Sequence, residues 1–200
     1  MARLLPRAFY DRPTLEVAAD LLGKILVHQR RGVRTSGVIV EVEAYIGESD
    51  PACHAAPGPT PRNRPLYGAP GHAYVYLNYG IHCLMNVVTE SHGSPAAILI
   101  RALDPVDGLA LMRRRRRRSG RPPIADCDLC RGPGNLTIAM GITLAENQCD
   151  LVGGRLFIED DRIAVGPIRW GPRIGINVGT DRPWRAHVEG HRAVSGKRAR

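Results

Sequence analysis

The chain has 200 residues, which suits one domain that buries roughly 70% of its unfolded surface without help from disulfides or metals. Apolar residues make up 44%, which excludes a wholly disordered chain, and 28 Lys and Arg against 19 Asp and Glu leave a formal charge of +9. That excess favours a polyanionic partner, nucleic acid first and an acidic membrane surface second. No stretch approaches the ~20 apolar residues of a membrane span. The run Met1 to Tyr10 has no long apolar core, so no secretory signal is expected. Cys53, Cys83, Cys127, Cys130 and Cys149 are odd in number and irregular in spacing, as in a reducing cytoplasm. Cys127-x-x-Cys130 is a single pair with no second pair and no well-spaced His, and reads as two thiols rather than a zinc site.

In chain order, Thr14 to Leu22 reads as a short helix with a stripe of Leu15, Ala18, Ala19 and Leu22, ended by Gly23. Lys24 to Gln29 reads as a strand, and Arg30 to Arg34 as a turn. Gly37 to Ile46 is the clearest strand: Val38, Val40, Val42 and Ala44 alternate with Ile39, Glu41, Glu43 and Tyr45. Gly47 to Pro70 is a long Pro-rich loop holding Arg62-Asn63-Arg64, and loops of that length are functional or disordered. Ala73 to Leu77 and Ile81 to Val88 form a hairpin around Asn78-Tyr79-Gly80, with Asn and Gly available for positive φ. Ala96 to Leu103 is an apolar strand interrupted only by Arg101, which needs an anionic partner or a wet cavity.

Asp107 can cap a helix that runs through Met112 into Arg113 to Arg118, and Gly120 to Pro123 breaks it. Pro133 to Met140 is a short apolar helix; the amides of Arg131-Gly132-Pro133-Gly134-Asn135 before it could hold one phosphate. Arg155 to Glu159 and Ile174 to Val178 look like strands among Gly and Pro turns. The basic tail, Gly190 to Arg200, is expected to fray. No repeat or domain boundary is evident.

Glu43 is the sharpest chemical candidate. An isolated strand carboxylate is ordinarily a surface group or half of an ion pair. Here Tyr45 shares its face and a lone Arg lies in another apolar strand, an arrangement that suits a charged base acting on water. Glu41 has no such context and reads as structural. Tyr74 reads as core. Tyr79, at a hairpin tip, reads as exposed, and an exposed ring on a basic protein can stack on or wedge into nucleic acid. Asp50 and His54 alone make no metal site. The six-arginine run is by default a solvated helix face, although arginines also neutralise phosphates.

Five motifs in order then resemble one family. Val40-Glu-Val-Glu-Ala-Tyr-Ile-Gly47, His54 at its spacing, Thr60-Pro-Arg-Asn-Arg64, Tyr74-Val-Tyr-Leu-Asn-Tyr-Gly80 with Met85-Asn86, and Leu99-Ile-Arg-Ala-Leu-Asp-Pro105 are similar to the alkyladenine (3-methyladenine) DNA glycosylases. The likeness runs from Phe9-Tyr10 to about Val188, with looser echoes at Leu129-Cys-Arg-Gly-Pro133 and Arg173-Ile-Gly-Ile176. It implies a single α+β domain with a curved, mostly antiparallel sheet flanked by short helices, no metal and no cofactor. It also implies a monofunctional base-excision enzyme that flips a damaged purine from duplex DNA and hydrolyses its N-glycosidic bond. In that scheme Glu43 activates water and Arg101 holds it. Tyr45, His54 and Tyr76 sandwich the base, Asn86 rejects guanine, and Tyr79 is the wedge with Ile81 as an apolar plug. Arg62, Arg64 and Arg131 meet the DNA backbone. A cytoplasmic monomer is expected. The rival readings are a non-catalytic nucleic-acid-binding module, an RNA-directed hydrolase or tRNA-binding domain on the same fold, and a membrane-surface protein, which would need an apolar face beside its basic run.

Overall fold

The computed structural model describes residues 3–117 and 119–196. Arg118 of the arginine run and the last four residues of the basic tail lie outside them. The strands are β1 (Arg3–Leu4), β2 (Ile25–Arg30), β3 (Val33–Ile46), β4 (Ala73–Asn78), β5 (His82–Val88), β6 (Ala96–Asp107), β7 (Leu156–Asp160), β8 (Ile168–Gly171) and β9 (Arg185–Val188). The helices are α1 (Arg7–Tyr10), α2 (Thr14–Leu21), α3 (Leu109–Arg116), α4 (Asp126–Leu129) and α5 (Pro133–Met140). The strands form one open sheet in the order β1-β7-β2-β3-β6-β5-β4, with β9 joining β3 to β8. Every pairing among the described strands is antiparallel. β3 is the spine: β6 takes one edge, while β2 and β9 share the other.

The main core lies between one face of this sheet and the helices. Ile39, Val42, Val75, Met85, Val87, Ile98, Ile100 and Leu103 meet Val17, Leu21, Met112, Leu136 and Met140 there. Burial of this apolar surface is the main favourable term in folding. The buried stripe of α2 is Thr14, Val17, Ala18 and Leu21, rotated from the expected one, and Leu15 is 36% exposed. Gly23 ends that helix at φ +87, where a Cβ would sit 2.9 Å from the Ile163 carbonyl oxygen. Helix α3 starts from Gly108 rather than Asp107. Asp107 instead closes β6, accepting from Arg34 Nε (2.9 Å) and Ser36 Oγ (2.6 Å).

Simple alternation does not hold along β3. Ile39 pairs with Leu103 and Glu41 with Ala102, so Val40 is extra on β3; Val42 then pairs with Ile100, so Arg101 is extra on β6. Such bulges re-aim side chains. Ile39 therefore joins the main core with Val42, whereas Val38 and Val40 pack in a small cluster with Ala102, Val188 and Ala193. The segment expected as a strand at Ile174 to Val178 is irregular, and the last strands are β8 and β9. The long loop after β3 is not loose. A 3-10 turn at Arg64–Tyr67 and the buried residues Cys53, Ala55, Asn63 and Leu66 fold it over β4.

Candidate active site

A cleft of about 390 Å³ opens on the face away from the main core. Its lining includes Tyr45 from β3, His54 from the long loop, Tyr74 and Tyr76 from β4, Asn86 from β5, Leu99 and Arg101 from β6, and Ile174 to Ile176. Tyr79 stands at its edge. The structure thus brings together Tyr45, His54, Tyr76, Tyr79, Asn86 and Arg101.

Glu43 lies directly behind this lining, 0% exposed. Its Oε2 accepts from the Tyr45 hydroxyl (2.9 Å) and Arg101 Nη1 (3.1 Å), and its Oε1 accepts from the Ile174 amide (2.7 Å). All three donors belong to residues that line the cleft. A carboxylate offers about four acceptor positions, so one remains open. Burial works against the charge of Arg101, but Glu43 and Glu41 outweigh it and hold the guanidinium above its ordinary pKa. Burial and then Glu43 push the Tyr45 hydroxyl well above its ordinary value, so it stays a donor.

Glu41, read from sequence as merely structural, completes the floor. It accepts from Arg101 Nε (3.1 Å), Arg185 Nε (2.7 Å), the Ser195 amide (2.7 Å) and Ser195 Oγ (3.0 Å). Burial would raise its pKa, but Arg101, Arg185 and the Ser195 amide overcome that, and the net shift is downward. Arg101 is therefore clamped between two carboxylates, which satisfies the partner demanded by its place in an apolar strand.

On the aromatic walls, His54 Nδ1 lies 2.9 Å from the Tyr74 hydroxyl. Its ring meets Tyr76 edge to face, with centroids 4.4 Å apart. No base can enter between those two rings, so His54 and Tyr76 form one wall and Tyr45 belongs to another. Burial, then Arg62, lowers the His54 pKa, so the ring is neutral at pH 7. Burial pushes the hydroxyls of Tyr74 and Tyr76 up to about 12. Asn86 Nδ2 donates to the Tyr74 carbonyl (3.0 Å), which fixes its amide.

The β4–β5 hairpin turns through Tyr79 (φ 49) and Gly80 (φ 69), not through Asn78 as expected from its residue type. Tyr79 is 89% exposed and Ile81 73% exposed. A non-glycine residue in the left-handed region stores strain, and such outliers cluster at functional sites.

The cationic surface differs from the expectation. Arg62 lies beside the site, its guanidinium 5.6 Å from the Tyr76 ring centroid and donating to the Leu77 carbonyl (3.2 Å). Arg62 and exposed Arg64 share a neighbouring cleft. Arg131 is spent on the chain itself, donating to the carbonyls of Val194 (2.7 Å) and Gly196 (2.8 Å). In the arginine run, Arg113 forks onto Asp126, Arg115 donates to Ala139 O (2.9 Å), and buried Arg116 donates to Leu129 O (3.0 Å). Arg115 and Arg116 are thus tied to the neighbouring helices, while Arg113, Arg114 and Arg117 remain exposed.

Trp184 and the pairing of Asp50 with Arg173, all near the site, were not read from the sequence. Arg173 forks onto Asp50, both side chains fully buried. Burial would raise the Asp50 pKa, but the Arg173 guanidinium holds its carboxyl below the usual range. The Arg173-Ile-Gly-Ile176 echo was the available signal, but its partner lies 123 residues away in the chain. Among the described residues, no group of three or more His, Cys, Asp or Glu could hold a metal ion, and no helix is long and apolar enough to cross a membrane.

Comparison with known proteins gives the family. The family "Methylpurine-DNA glycosylase (MPG)" matches residues 8–192. A Methanocella arvoryzae protein named "Putative 3-methyladenine DNA glycosylase" is 50% identical over 200 residues, covering 98% of this chain and 97% of its own. Proteins of the same name from Burkholderia lata (49% identical, 96% of this chain and 91% of the relative) and Chlorobium phaeobacteroides (48%, 96% and 94%) are similarly close. A basic protein with a buried, guanidinium-clamped glutamate behind an aromatic cleft, matched along nearly its whole length, is a DNA-repair hydrolase of N-glycosyl bonds and belongs to the methylpurine-DNA glycosylase family.

Proposed function

We propose that the protein, a single domain acting as a monomer, flips alkylated purines of the 3-methyladenine and 7-methylguanine type out of duplex DNA and hydrolyses their N-glycosidic bonds with a water activated by Glu43. The supporting observation is the Glu43 carboxyl group, screened from bulk solvent and backed by Arg101, with one acceptor position open behind a cleft of tyrosine rings. A water admitted with the flipped nucleotide docks on that position. Its proton passes to Glu43, its oxygen bonds to the anomeric carbon, and the bond to the purine nitrogen breaks. An abasic site and a free base result. A ring-alkylated purine is cationic, so it leaves readily and is drawn to the electron-rich tyrosine faces.

Tyr45 forms one wall of the slot, and His54 with Tyr76 the other. Asn86, its amide fixed by the Tyr74 carbonyl, crowds the exocyclic amine of normal guanine, a penalty that the cationic charge of 7-methylguanine offsets. Tyr79 enters the stack from its exposed turn, with Ile81 beside it, while Arg62 and Arg64 meet phosphates. Extrusion costs a few kcal/mol and least at weakened pairs, which adds selectivity. The test is Glu43→Gln on duplexes carrying one defined lesion. Excision should fall on the order of a hundred- to ten-thousand-fold while lesion binding persists. Normal turnover by this variant would remove Glu43 as the base.

A further inference from the structure

We propose that the buried Asp50–Arg173 ion pair is a positioning device for the reaction, setting the Glu43 carboxylate through the Ile174 amide and the Tyr45 ring through stacking. The inference rests on the reading of Glu43 as the base. Neither Asp50 nor Arg173 lines the cleft, so both are positioning residues rather than catalytic ones.

Four parts of the chain meet at this pair. Arg173 Nη1 donates to Asp50 Oδ2 (2.6 Å) and to the Ala44 carbonyl (3.0 Å), directly between Glu43 and Tyr45 in sequence. Its Nη2 donates to Asp50 Oδ1 (2.8 Å) and the Gly179 carbonyl (3.2 Å). Asp50 in turn accepts from the Ile46 amide (3.3 Å) and the Ala52 amide (3.2 Å), which ties the end of β3 to the loop that carries His54. Ile174 is the next residue after Arg173, so fixing the guanidinium fixes the amide that donates to Glu43 Oε1.

The guanidinium is also a spacer. Its carbon lies 4.7 Å from the Tyr45 ring centroid and 5.3 Å from that of Trp184, so the cation sits between two aromatic rings and braces Tyr45 from outside the cleft lining. Arg173 Nε is buried with no partner. A guanidinium placed only to maximise hydrogen bonds would not leave that donor unmet. Its position is set by the two rings beside it and by the fork onto Asp50. Buried ion pairs are also poor devices for stability alone, because desolvation consumes much of their attraction. Arg suits this task and Lys does not, since only Arg offers a flat face and a two-point fork.

The experiment compares wild type, Arg173→Lys and Glu43→Gln in single turnover on a duplex with one 7-methylguanine across about pH 5 to 9, with lesion-duplex affinity measured alongside. The lesion stays cationic over the acid half of that range and loses its N1 proton only on the alkaline side, so the acid limb reports the enzyme. Arg173→Lys should excise on the order of ten- to a hundredfold more slowly, with affinity within about threefold of wild type. Its acid limb should move to higher pH, because a carboxylate that loses an N–H donor protonates more readily. A merely loosened fold would lower the amplitude and leave the limb in place. Wild-type rate and limb in Arg173→Lys overturn the proposal. Wild-type turnover by Glu43→Gln instead overturns the assignment of the base. If circular dichroism shows that Arg173→Lys does not fold, Trp184→Leu carries the test by removing one of the rings against the guanidinium while leaving the ion pair. It should move the limb the same way by less, and an unmoved limb overturns the proposal.

Discussion

Glu41→Gln should cost stability where Glu43→Gln costs chemistry, although the two carboxylates are two residues apart on one strand. All four hydrogen bonds at Glu41 come from donors: Arg101 Nε, Arg185 Nε, the Ser195 amide and Ser195 Oγ. A glutamine offers one oxygen, so its NH2 must face at least one of those donors, and the buried Arg101 and half-buried Arg185 guanidiniums lose a counter-charge. Breaking a buried ionic network in this way costs about 3–5 kcal/mol. At about 2–4 °C per kcal/mol for a protein of this size, the melting temperature should fall by roughly 6–20 °C. Glu43→Gln leaves Arg101 its bonds to Glu41 and should fall by less. The pH dependence supplies a sign. The folded pKa of Glu41 is depressed, so its contribution is present above the unfolded carboxylate value near ~4.3 and is lost as pH falls through the folded value. The gap between wild type and Glu41→Gln in urea unfolding should therefore be full at pH 7 and shrink below about pH 4. A Glu41→Gln protein that melts within about 2 °C of wild type at pH 7 would refute the claim that this network holds the floor of the site.

Three further outcomes follow from the geometry. Tyr79→Ala should leave stability within about 0.5 kcal/mol, since the ring is 89% exposed, yet weaken lesion capture by about 1–3 kcal/mol in a duplex-binding titration. Arg64→Ala should lower affinity for damaged and undamaged duplex alike and reduce the slope of log affinity against log salt by about 1. Arg116→Ala should destabilise by about 1–3 kcal/mol in urea, because the Leu129 carbonyl loses its buried donor, while Arg117→Ala at the exposed end of α3 should change stability by less than about 0.5 kcal/mol.

Much of the site was legible because it rests on short-range signals. Glu43 and Tyr45 share a strand at a spacing of two, Arg101 interrupts an apolar run, and Tyr79 precedes the glycine of a tight turn. What stayed hidden depends on the register of strands and on residues far apart in the chain. Alternation in β3 placed Val38, Val40 and Val42 on one face, but the paired bulges at Val40 and Arg101 move Val42 to the main core and leave Val40 on the side of the site. No local pattern announces such a shift, because either phase buries valines. The stripe of α2 was misplaced for a similar reason: Thr14 and Val17 are as compatible with burial as Leu15 and Ala19, and only the sheet beneath decides. The Ile174 segment looked like a strand from its β-branched residues, yet its backbone turns to give the Glu43 carboxylate an amide.

The arginines show where composition misleads about function. A charge of +9 pointed to a polyanion, but the charges do not coat the surface evenly. Arg101 and Arg173 are buried against carboxylates and Arg116 against a helix-end carbonyl, while half-buried Arg131 donates to the C-terminal segment. Those side chains are engaged with the protein itself. Those that remain beside the cleft, Arg62 over the Tyr76 ring and Arg64 in the adjoining groove, are few. The same side-chain type thus serves two tasks that composition sums into one number. Inside, the fork of a guanidinium orients a carboxylate or an amide; outside, it draws a phosphate. Only the fold separates them, and it does so by placing the structural arginines opposite buried acids and carbonyls that no DNA strand could displace.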